Sequence, residues 1–408
     1  MENLKQNISN LTNESDNRKM LLDSWKVFGR KKKDMFAYLE ILENATKIIP
    51  GQTNAIQIFT LDKTDLDKKE FVGYRHGAEY GTIMDNIPFL RMRKYEGMTT
   101  ELANEIKNKS KMFILIGNDI FFTTKKVLPT LAQRAGSSTG KFASLDSIRI
   151  RFHRDAGYVA YMQACPSPCN ILLRKYGDAK KIFAVFSDGY AVISQKELLA
   201  SIMGKFEESM GTSSLYYVID NFNTVINMEF PDFKEFLLPE ALKEDVAPGI
   251  LVQMSDTGDS SFSVTGILRV KTGICYVPAS LYTRKHTKNA SVDEIAADAL
   301  RQISSKLKRF PKLISDLYRI QVSNIEETVK KVTASCGIKT SVSAKAEAAV
   351  INTALDSISR LRSCTAYDIA ASIIEACDFL TEDTCEKVSE KFHSCSVKAL
   401  LYKYDQAN

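Results

Sequence analysis

The sequence predicts an α+β protein in which a mixed, mostly antiparallel sheet domain is followed by a helical C-terminal domain. Up to about residue 288, short alternating apolar segments are separated by turns rich in Gly, Asn and Asp, which is typical of strands and hairpins. After that point, apolar residues recur at helical spacing. The change occurs in 250–287, where a Gly/Ser/Asp turn, two strand-like segments and a basic exit follow one another.

The length of 408 residues exceeds that of one ordinary domain. Composition divides the chain into a flexible basic leader (1–34), an N-terminal α/β segment (35–110), a sheet-rich core domain (111–288) and the helical domain (289–408). No apolar run approaches the roughly 20 residues that span a bilayer, so we expect no membrane partner. The polar N-terminus lacks a secretory signal, which predicts a cytoplasmic location.

Strand-like alternation begins at 54–61 and recurs between turns through the first two thirds of the chain. Gly117, followed by Asn and Asp, predicts a hairpin turn inside 111–122. The remaining predicted strands are 147–153, 157–163, 170–176, 181–187, 215–220, 223–230, 260–270 and 272–278, and the helices among them are 99–109, 123–135 and 195–210. The two strands on either side of Arg154-Asp155-Ala156-Gly157 are expected to form a hairpin.

Capping motifs mark the helices of the C-terminal part. Ser291 and Glu294 form a capping box, in which the serine hydroxyl accepts from an amide of the first turn and the glutamate reaches back. Thr365 and Asp368 are a second candidate pair. Pro311 predicts the end or a kink of the first helix, because proline lacks an amide proton. Further helices are predicted at 313–334, 344–361 and 366–380, with a short last helix after residue 381.

Motifs of known catalytic machineries are incomplete. The segment 136–141 has three residues between its first glycine and Gly-Lys, whereas a phosphate loop has four, and Phe142 replaces the magnesium-binding hydroxyl. Asp256-Thr257-Gly258 resembles an aspartic-protease triplet, which requires a second copy that the sequence lacks. The segment 255–261 is either a tight turn that bonds its own backbone or a turn that contacts a phosphate or another ligand. We therefore expect no catalytic residues, no cofactor and no enzymatic activity.

The eight cysteines are interpreted as reduced thiols, because the chain is large and lacks a secretory signal. Cys165 and Cys169 have a spacing compatible with two zinc thiolates, but a tetrahedral site requires a second pair. The C-terminal cysteines and His393 are irregularly spaced. Buried or incidental thiols are therefore expected, structural zinc is the alternative, and no metal ligand is predicted.

Basic residues occur in blocks, although the net charge is only +6. Arg and three Lys at 30–33 are either the solvated start of a helix or a phosphate-binding arm. Residues 269–312 carry ten Lys and Arg against three acidic residues. With aromatic residues on a sheet edge, this block forms either a groove for single-stranded nucleic acid or a solvated helix face. The predicted nucleic-acid contacts are Arg269, Lys271, Arg284, Lys285, Lys288, Arg301, Lys308 and Arg309.

The stretch 250–287 combines a Ser-x-x-Gly turn, a serine-rich strand, a strand that contains Cys275, and Arg-x-His-Thr before a helix. Upstream, 170–174 supplies Leu-Arg, and 181–190 supplies a strand followed by Ser-Asp-Gly-Tyr ahead of another helix. In this order the features resemble a family carried by bacteriophages and plasmids and catalogued as domain of unknown function 932. The resemblance covers roughly residues 110–380.

The sequence departs from the family pattern at Tyr276, which follows Cys275 where Asn-Gly is common, and at Gly189, where Arg is usual. The resemblance implies a mobile-element origin and a protein that stays in the bacterial host cytoplasm or enters the virion. It implies no established activity, but such genes often lie among replication and recombination functions. We therefore expect a non-enzymatic, self-associating phage protein that binds or anneals single-stranded DNA. A structural or assembly component of a phage particle is the alternative, and a host-defence antagonist is a third interpretation.

Overall fold

A computed structural model describes residues 18–65, 67–68, 70–76, 89–93, 99–117, 119–137, 147–176, 179–190, 193–258, 261–284, 291–338, 345–359, 361, 363–381 and 386–404. Within these residues, the strands form two sheets, and helices dominate after the last strand. The fold class is α+β, which confirms the prediction from the sequence. No helix of this part of the chain is both long enough and apolar enough to cross a bilayer.

The strands in chain order are β1 (Lys26–Gly29), β2 (Thr46–Gln52), β3 (Ile56–Asp65), β4 (Glu70–His76), β5 (Phe89–Arg93), β6 (Met112–Ile116), β7 (Asp119–Thr123), β8 (Pro168–Tyr176), β9 (Ala179–Ser187), β10 (Ser214–Asp220), β11 (Thr224–Glu229), β12 (Val246–Met254), β13 (Phe262–Val270) and β14 (Gly273–Arg284). The helices are α1 (Lys32–Ala45), α2 (Thr100–Glu105), α3 (Val127–Arg134), α4 (Ile148–Ala164), α5 (Gln195–Met210), α6 (Val292–Leu307), α7 (Phe310–Arg319), α8 (Ile325–Ser335), α9 (Lys345–Ile358), α10 (Ala366–Thr381) and α11 (Glu386–Leu401).

The larger sheet is mixed and has the strand order β2-β8-β9-β7-β6-β3-β4-β5. The β7–β9 pair is parallel, and the other described pairs in this sheet are antiparallel. Strands β6 and β7 form the predicted hairpin, in which Gly117 has a φ of 60°. Strands β2 to β5 precede residue 110 and strands β6 to β9 follow it. The sheet is thus continuous across the expected boundary between the 35–110 and 111–288 segments.

The smaller sheet has the order β1-β10-β11-β12-β13-β14, and its described pairs are all antiparallel. The predicted β10–β11 and β13–β14 hairpins are confirmed. The second hairpin turns at Lys271, whose φ of 52° lies in the left-handed region. A bulge separates Thr265 from Ile267, and the amide of Gly266 there donates to the Ser280 hydroxyl at 3.0 Å. Both halves of the 250–287 stretch therefore belong to one sheet.

The predicted flexible leader over 1–34 is ordered in part, because strand β1 within it belongs to the smaller sheet. A short turn, Arg18–Leu21, carries the fully buried side chains of Met20 and Leu21. Strand β1 then pairs with β10 over Lys26 to Gly29. The basic residues at 30–33 therefore follow a strand rather than a flexible arm, and residues 1–17 lie outside the described part of the chain.

The hairpin predicted for 147–163 is wrong, because these residues form helix α4. The Ser147 hydroxyl accepts from the amide of Ile150 and caps the helix. The Arg-Ile alternation that favours a strand spans only one helical turn. Its continuation instead buries residues spaced three or four apart, which is the period of a helix. These residues are Phe152, Ala156, Val159 and Met162.

Three predicted helix boundaries in the C-terminal part are confirmed. The Ser291 hydroxyl accepts from the amide of Glu294 at 3.1 Å. The Thr365 hydroxyl accepts from the amide of Asp368 at 3.2 Å, while the Asp368 carboxylate accepts from the Thr365 amide at 2.9 Å. Helix α6 ends at Leu307, and Pro311 lies in the first turn of α7. Proline is tolerated there because first-turn amides have no partner within the helix.

The single helix predicted for 313–334 is wrong, because α7 and α8 occupy this range separately. Between them, Gln321 forms a β-bridge with Thr365, just before α10. The Asn324 side chain then accepts from the amide of Glu327 and starts α8. The pairing with a segment 44 residues later in the chain supplies hydrogen bonds that a continuous helix would have supplied locally.

Two apolar clusters hold these elements together. The larger cluster extends from Met20 to Tyr404 and includes side chains from both sheets, from α1 and α5, and from the C-terminal helices. The smaller cluster lies on the opposite face of the larger sheet, beneath α3 and α4, and includes Leu131, Val159 and Ile171. The larger sheet is therefore covered on two faces, whereas one face of the smaller sheet carries exposed side chains.

Candidate nucleic-acid interface

The strands of the smaller sheet alternate between a buried and an open face. In β10, Tyr217 and Ile219 are fully buried against the larger cluster, so Tyr216 and Val218 point the other way. Phe28 of β1 lies opposite Val218 in the register and shares this second face. Phe28 is 58% exposed and Tyr216 is 43% exposed. The β1–β10 edge therefore presents two aromatic rings to solvent.

The two rings are close enough to act on one ligand. Because Phe28 is opposite Val218, Tyr216 is its diagonal neighbour on the same face. Diagonal neighbours in antiparallel pairs lie about 7–8 Å apart, within reach of aromatic side chains. Further across the open face, Val225 and Leu251 are half-buried and Gln253 is exposed. Thr283 and Leu281 of β14 lie on the same face at the far side of the sheet.

Four consecutive cations adjoin the two rings. Arg30, Lys31, Lys32 and Lys33 follow the last residue of β1, and all four are exposed. Lys32 donates to the Glu207 carboxylate at 2.9 Å and begins α1. A cleft of about 490 Å³ opens at this point, lined by Arg30, Lys32, Glu207 and 212–215. Arg30, Lys31 and Lys33 therefore add positive charge to this corner of the sheet, beside the Lys32–Glu207 ion pair.

The position of β1 depends on Gly29. A Cβ at Gly29 would lie 2.6 Å from the hydroxyl oxygen of Tyr217, which is closer than a side chain tolerates. Glycine thus lets β1 lie directly over the Tyr217 ring and close the edge of the sheet. The same placement turns Phe28 outward and brings the cations at 30–33 to the corner of the sheet.

Of the predicted nucleic-acid contacts that the structure describes, Arg269 and Arg284 lie at opposite ends of one hairpin. Arg269 donates to the Glu229 carboxylate at 2.9 Å and to the carbonyl oxygens of Asp245 and Lys271. Arg284 lies at the other end of the β13–β14 hairpin, opposite Phe262. With a rise of about 3.3 Å per residue, the two ends of β13 are roughly 25 Å apart.

The predicted contacts on the helices are partly neutralised. Arg301 forms an ion pair with Asp298 on its own helix, and Lys308 forms one with Glu235. Arg309 is exposed at the start of α7. Two further predicted contacts, Lys285 and Lys288, lie outside the described residues.

Asp256 forms a buried ion pair, which neither interpretation of the 255–261 turn predicts. Both its carboxylate oxygens accept from Arg174 Nη2 at 2.8 Å, and the Arg174 side chain is 1% exposed. Arg174 Nη1 donates to the backbone and side-chain oxygens of Asn221. The guanidinium also lies 4.5 Å from the ring centroid of Phe183. The turn thus contributes its acid to a buried ion pair that joins β8 to the smaller sheet.

Lys181 forms a second buried ionic cluster. Its ammonium group is fully buried and donates to Asp23 at 2.7 Å, to Glu105 at 2.8 Å and to the carbonyl oxygen of Leu21. Burial by itself would raise the pKa of the Glu105 carboxyl, but the charge and hydrogen bond of Lys181 hold that pKa below its ordinary value. Each donor of the ammonium has an acceptor, so this cluster is structural.

A network around Thr60 has the residue types of a catalytic site, but its side chains are buried away from solvent. The Thr60 hydroxyl donates to Asp155 at 2.8 Å and lies 2.8 Å from His76 Nε2, so the histidine donates to the hydroxyl. Burial lowers the pKa of His76 to about 4, although nearby Asp155 acts in the opposite direction. The three side chains are at most 2% exposed, so a substrate has no path to them.

The other sequence candidates do not converge. Cys165 is exposed and Cys169 is buried in β8. Within the described ranges, no three His, Cys, Asp or Glu side chains are grouped so that they could hold a metal ion. Of the segment 136–141, residues 138–141 lie outside the described part of the chain.

Sequence reasoning missed Phe28 and Tyr216. The alternation of 214–220 contains the signal, because its two adjacent tyrosines must point to opposite faces of a strand. The pairing of β1 with β10, 188 or more residues apart in the chain, carries no local signal. Comparisons of the chain with family models, curated proteins and solved structures gave no match, and the resemblance to domain of unknown function 932 stays a prediction.

Proposed function

We propose that the protein binds single-stranded nucleic acid on the open face of its smaller sheet, at the β1–β10 edge. The observation that carries the proposal is the pair of exposed rings, Phe28 and Tyr216, next to the cations at 30–33. A base stacked on an aromatic side chain contributes about 1–3 kcal/mol and any base can stack. The adjoining cations attract the phosphates between such bases.

The dimensions of the face suit a short single strand. Six strands spaced about 4.8 Å apart give a width of roughly 24 Å from β1 to β14. Side chains along this path are mixed, with half-buried Val225 and Leu251 beside exposed Gln253. The path ends on β14 at Leu281 and Thr283, whereas Arg284 lies opposite the buried Phe262 and therefore points to the other face.

In this proposal the protein is a non-enzymatic, nucleic-acid-associated protein of a phage or mobile element. Its role would be to hold or anneal single-stranded DNA during replication or recombination, as the family resemblance implies. Flat exposed rings are suited to this because they bind unpaired bases, which duplex DNA conceals.

The same surface supports a second candidate, self-association as an assembly component of a particle. Phe28 and Leu281 are both more than half exposed on the open face, and exposed apolar side chains on a sheet also fit protein contacts. In that case the face would be covered by another copy of the chain, and substitutions of the rings would change the oligomeric state.

The decisive experiment is fluorescence anisotropy of labelled oligothymidine at rising salt. We expect the wild-type protein to bind the single strand more tightly than a duplex of the same length. The double substitution Phe28→Ala and Tyr216→Ala should weaken binding by at least tenfold, because each lost stack is worth about 1–3 kcal/mol. The triple substitution Arg30→Gln, Lys31→Gln and Lys33→Gln should reduce the salt dependence of the affinity. Lys32 is retained because it pairs with Glu207.

The matched control is Arg301→Gln with Lys308→Gln, which removes two exposed cations in and just after α6, a helix that packs on the covered side of the smaller sheet. These substitutions should leave the affinity within about twofold. A wild-type protein that fails to bind at low salt would overturn the proposal. Unchanged affinity in the Phe28→Ala, Tyr216→Ala variant, with a changed mass by light scattering, would instead favour the assembly role.

A further inference from the structure

A pocket of about 470 Å³ lies beside helix α4, which packs on the larger sheet, whereas the β1–β10 edge belongs to the smaller sheet. This is within the size range of sites that hold small molecules. Helix α4 contributes Arg154, Gly157, Tyr158 and Tyr161, and Ser137 closes the pocket from the end of α3. The pocket is larger than packing defects usually are, which makes it a candidate binding site.

Arg154 supplies a donor that lacks an acceptor. Its side chain is 6% exposed, and its Nε donates to the Asp155 carboxylate at 2.8 Å. Nη2 of the same guanidinium is buried and has no hydrogen-bond partner within the part of the chain that the structure describes. A buried guanidinium donor without an acceptor is unfavourable, and a planar acid group is its best complement.

Gly157 leaves the middle of the pocket open. It lies inside helix α4, where glycine is less favourable than alanine. A Cβ placed on Gly157 would meet no atom within 4 Å, so packing against the protein does not explain the glycine. Its effect is to leave space next to Arg154, one helical turn away.

Two tyrosines form the walls. The ring of Tyr161 lies against Gly136, where a Cβ would approach the ring to 2.7 Å, so glycine makes room for the ring. Gly136 also has a φ of 60°, which favours glycine for a second reason. Tyr158 is buried, its phenol shares a hydrogen bond with Ser137, and burial raises the pKa of that phenol. The pocket thus combines flat walls with polar atoms at its base.

We propose that this pocket binds a small organic acid with a flat apolar body, its acid group on Arg154 and its body over Gly157 between the tyrosines. The guanidinium already shares its charge with Asp155, whose other oxygen accepts from Thr60. The charge of Arg154 is thus offset by that of Asp155, and the unpaired Nη2 donor that remains suits a singly charged carboxylate or sulfonate better than a doubly charged phosphate. The site would be independent of nucleic-acid binding on the smaller sheet.

The test uses anilinonaphthalene sulfonate, a fluorescent aromatic sulfonate, as the probe. We expect saturable enhancement of its fluorescence, with one site per chain competed by benzoate. Gly157→Leu should abolish this component, because a Cβ at this position meets no atom within 4 Å and the longer side chain would extend into the pocket. Arg154→Met should weaken it at least about tenfold. Arg149→Met, an exposed arginine on the same helix, is the matched control and should have no effect.

Competing ligands with and without an acid group test whether the charge of the ligand is recognised. Benzoate should displace the probe, whereas benzyl alcohol, which has the same ring without the charge, should displace it at least tenfold less well. Phenyl phosphate should fall between them. If Arg154→Met fails to fold by circular dichroism, Gly157→Leu still decides the question. Probe binding that is unaltered by Gly157→Leu, or equal displacement by benzoate and benzyl alcohol, would overturn the proposal.

Discussion

Arg174 stabilises the fold through a buried guanidinium group that is hydrogen-bonded within the protein. It lies in β8, and while its Nε donates to Thr46 of β2, its two terminal nitrogens bond to residues of the smaller sheet's turns, Asn221 and Asp256. Asn221 in turn donates to the carbonyl oxygens of Met20 and Leu22. Removal of the arginine would take the donors from the Asp256 carboxylate and from the backbone and side-chain oxygens of Asn221.

We therefore expect Arg174→Met to lower the free energy of unfolding by about 3–5 kcal/mol, the usual result of breaking a buried ion pair from one side. Urea denaturation followed by circular dichroism measures this. Lys175→Met is the matched control, because Lys175 is the next residue in β8 and is exposed. The interpretation fails if the two variants are equally stable.

His76 makes stability depend on pH. Burial lowers its folded-state pKa to about 4, whereas an unfolded histidine has a pKa of about 6.5. Between these values the unfolded chain binds a proton that the folded chain excludes, so stability is lost as the pH falls through this window. The full effect is on the order of 3 kcal/mol.

The measurement is the midpoint of urea denaturation at pH values from neutral to about 4. His76→Gln should make the decline shallower, because glutamine can still donate to Thr60 but does not titrate. His153→Gln, on the exposed side of α4, should leave the pH profile unchanged. A decline of the same steepness in the His76→Gln variant would contradict this assignment.

At the scale of elements, the start of α10 depends on a reciprocal pair of hydrogen bonds. The Thr365 hydroxyl and the Asp368 carboxylate each accept an amide proton from the other residue. The same threonine forms the bridge with Gln321 that separates α7 from α8. Thr365 therefore both caps the start of α10 and pairs with the segment that separates α7 from α8.

Thr365→Ala should destabilise the protein by about 1–2 kcal/mol, the cost of losing an N-cap side chain. Thr365→Ser retains the hydroxyl and should recover most of this loss. Thermal unfolding of the three proteins, compared at one pH, measures both effects. Equal losses in the Ala and Ser variants would attribute the effect to the methyl group rather than to the cap.

On the scale of the whole molecule, two buried cations couple the sheets. Arg174 links β8 to the turns of the smaller sheet, and Lys181 links β9 to Leu21 and Asp23, just before β1. The larger apolar cluster also includes side chains of both sheets and of the C-terminal helices. The two sheets and the C-terminal helices therefore share this one apolar cluster.

We therefore expect one cooperative unfolding transition. The single tryptophan, Trp25, packs 6.5 Å from Tyr38 and reports on the N-terminal part, whereas far-UV circular dichroism is dominated by the helices after β14. The two signals should give the same denaturation midpoint, as two-state unfolding requires. Two separated midpoints would show that the C-terminal helices unfold independently.

The sequence by itself determined the features that depend on neighbouring residues. Alternation identified the hairpins on either side of Gly117 and Asn221, because the period of two is a property of one strand. The hydroxyls of Ser291 and Thr365 identified helix starts, because a cap acts within three residues. The order of sheet first and helices later followed from the same local patterns, and so did the α+β class.

Tertiary structure alone decided which distant residues meet. Helix α4 replaced two predicted strands because its apolar residues have a sheet to pack against, and packing outweighs a short alternation. Asp256 became half of a buried ion pair because β8 brings Arg174 to its turn from 82 residues away. The exposed rings of Phe28 and Tyr216 meet only because β1 adds to the edge of β10. Pairing between strands is set by burial over the whole chain, and no short stretch of sequence contains that information.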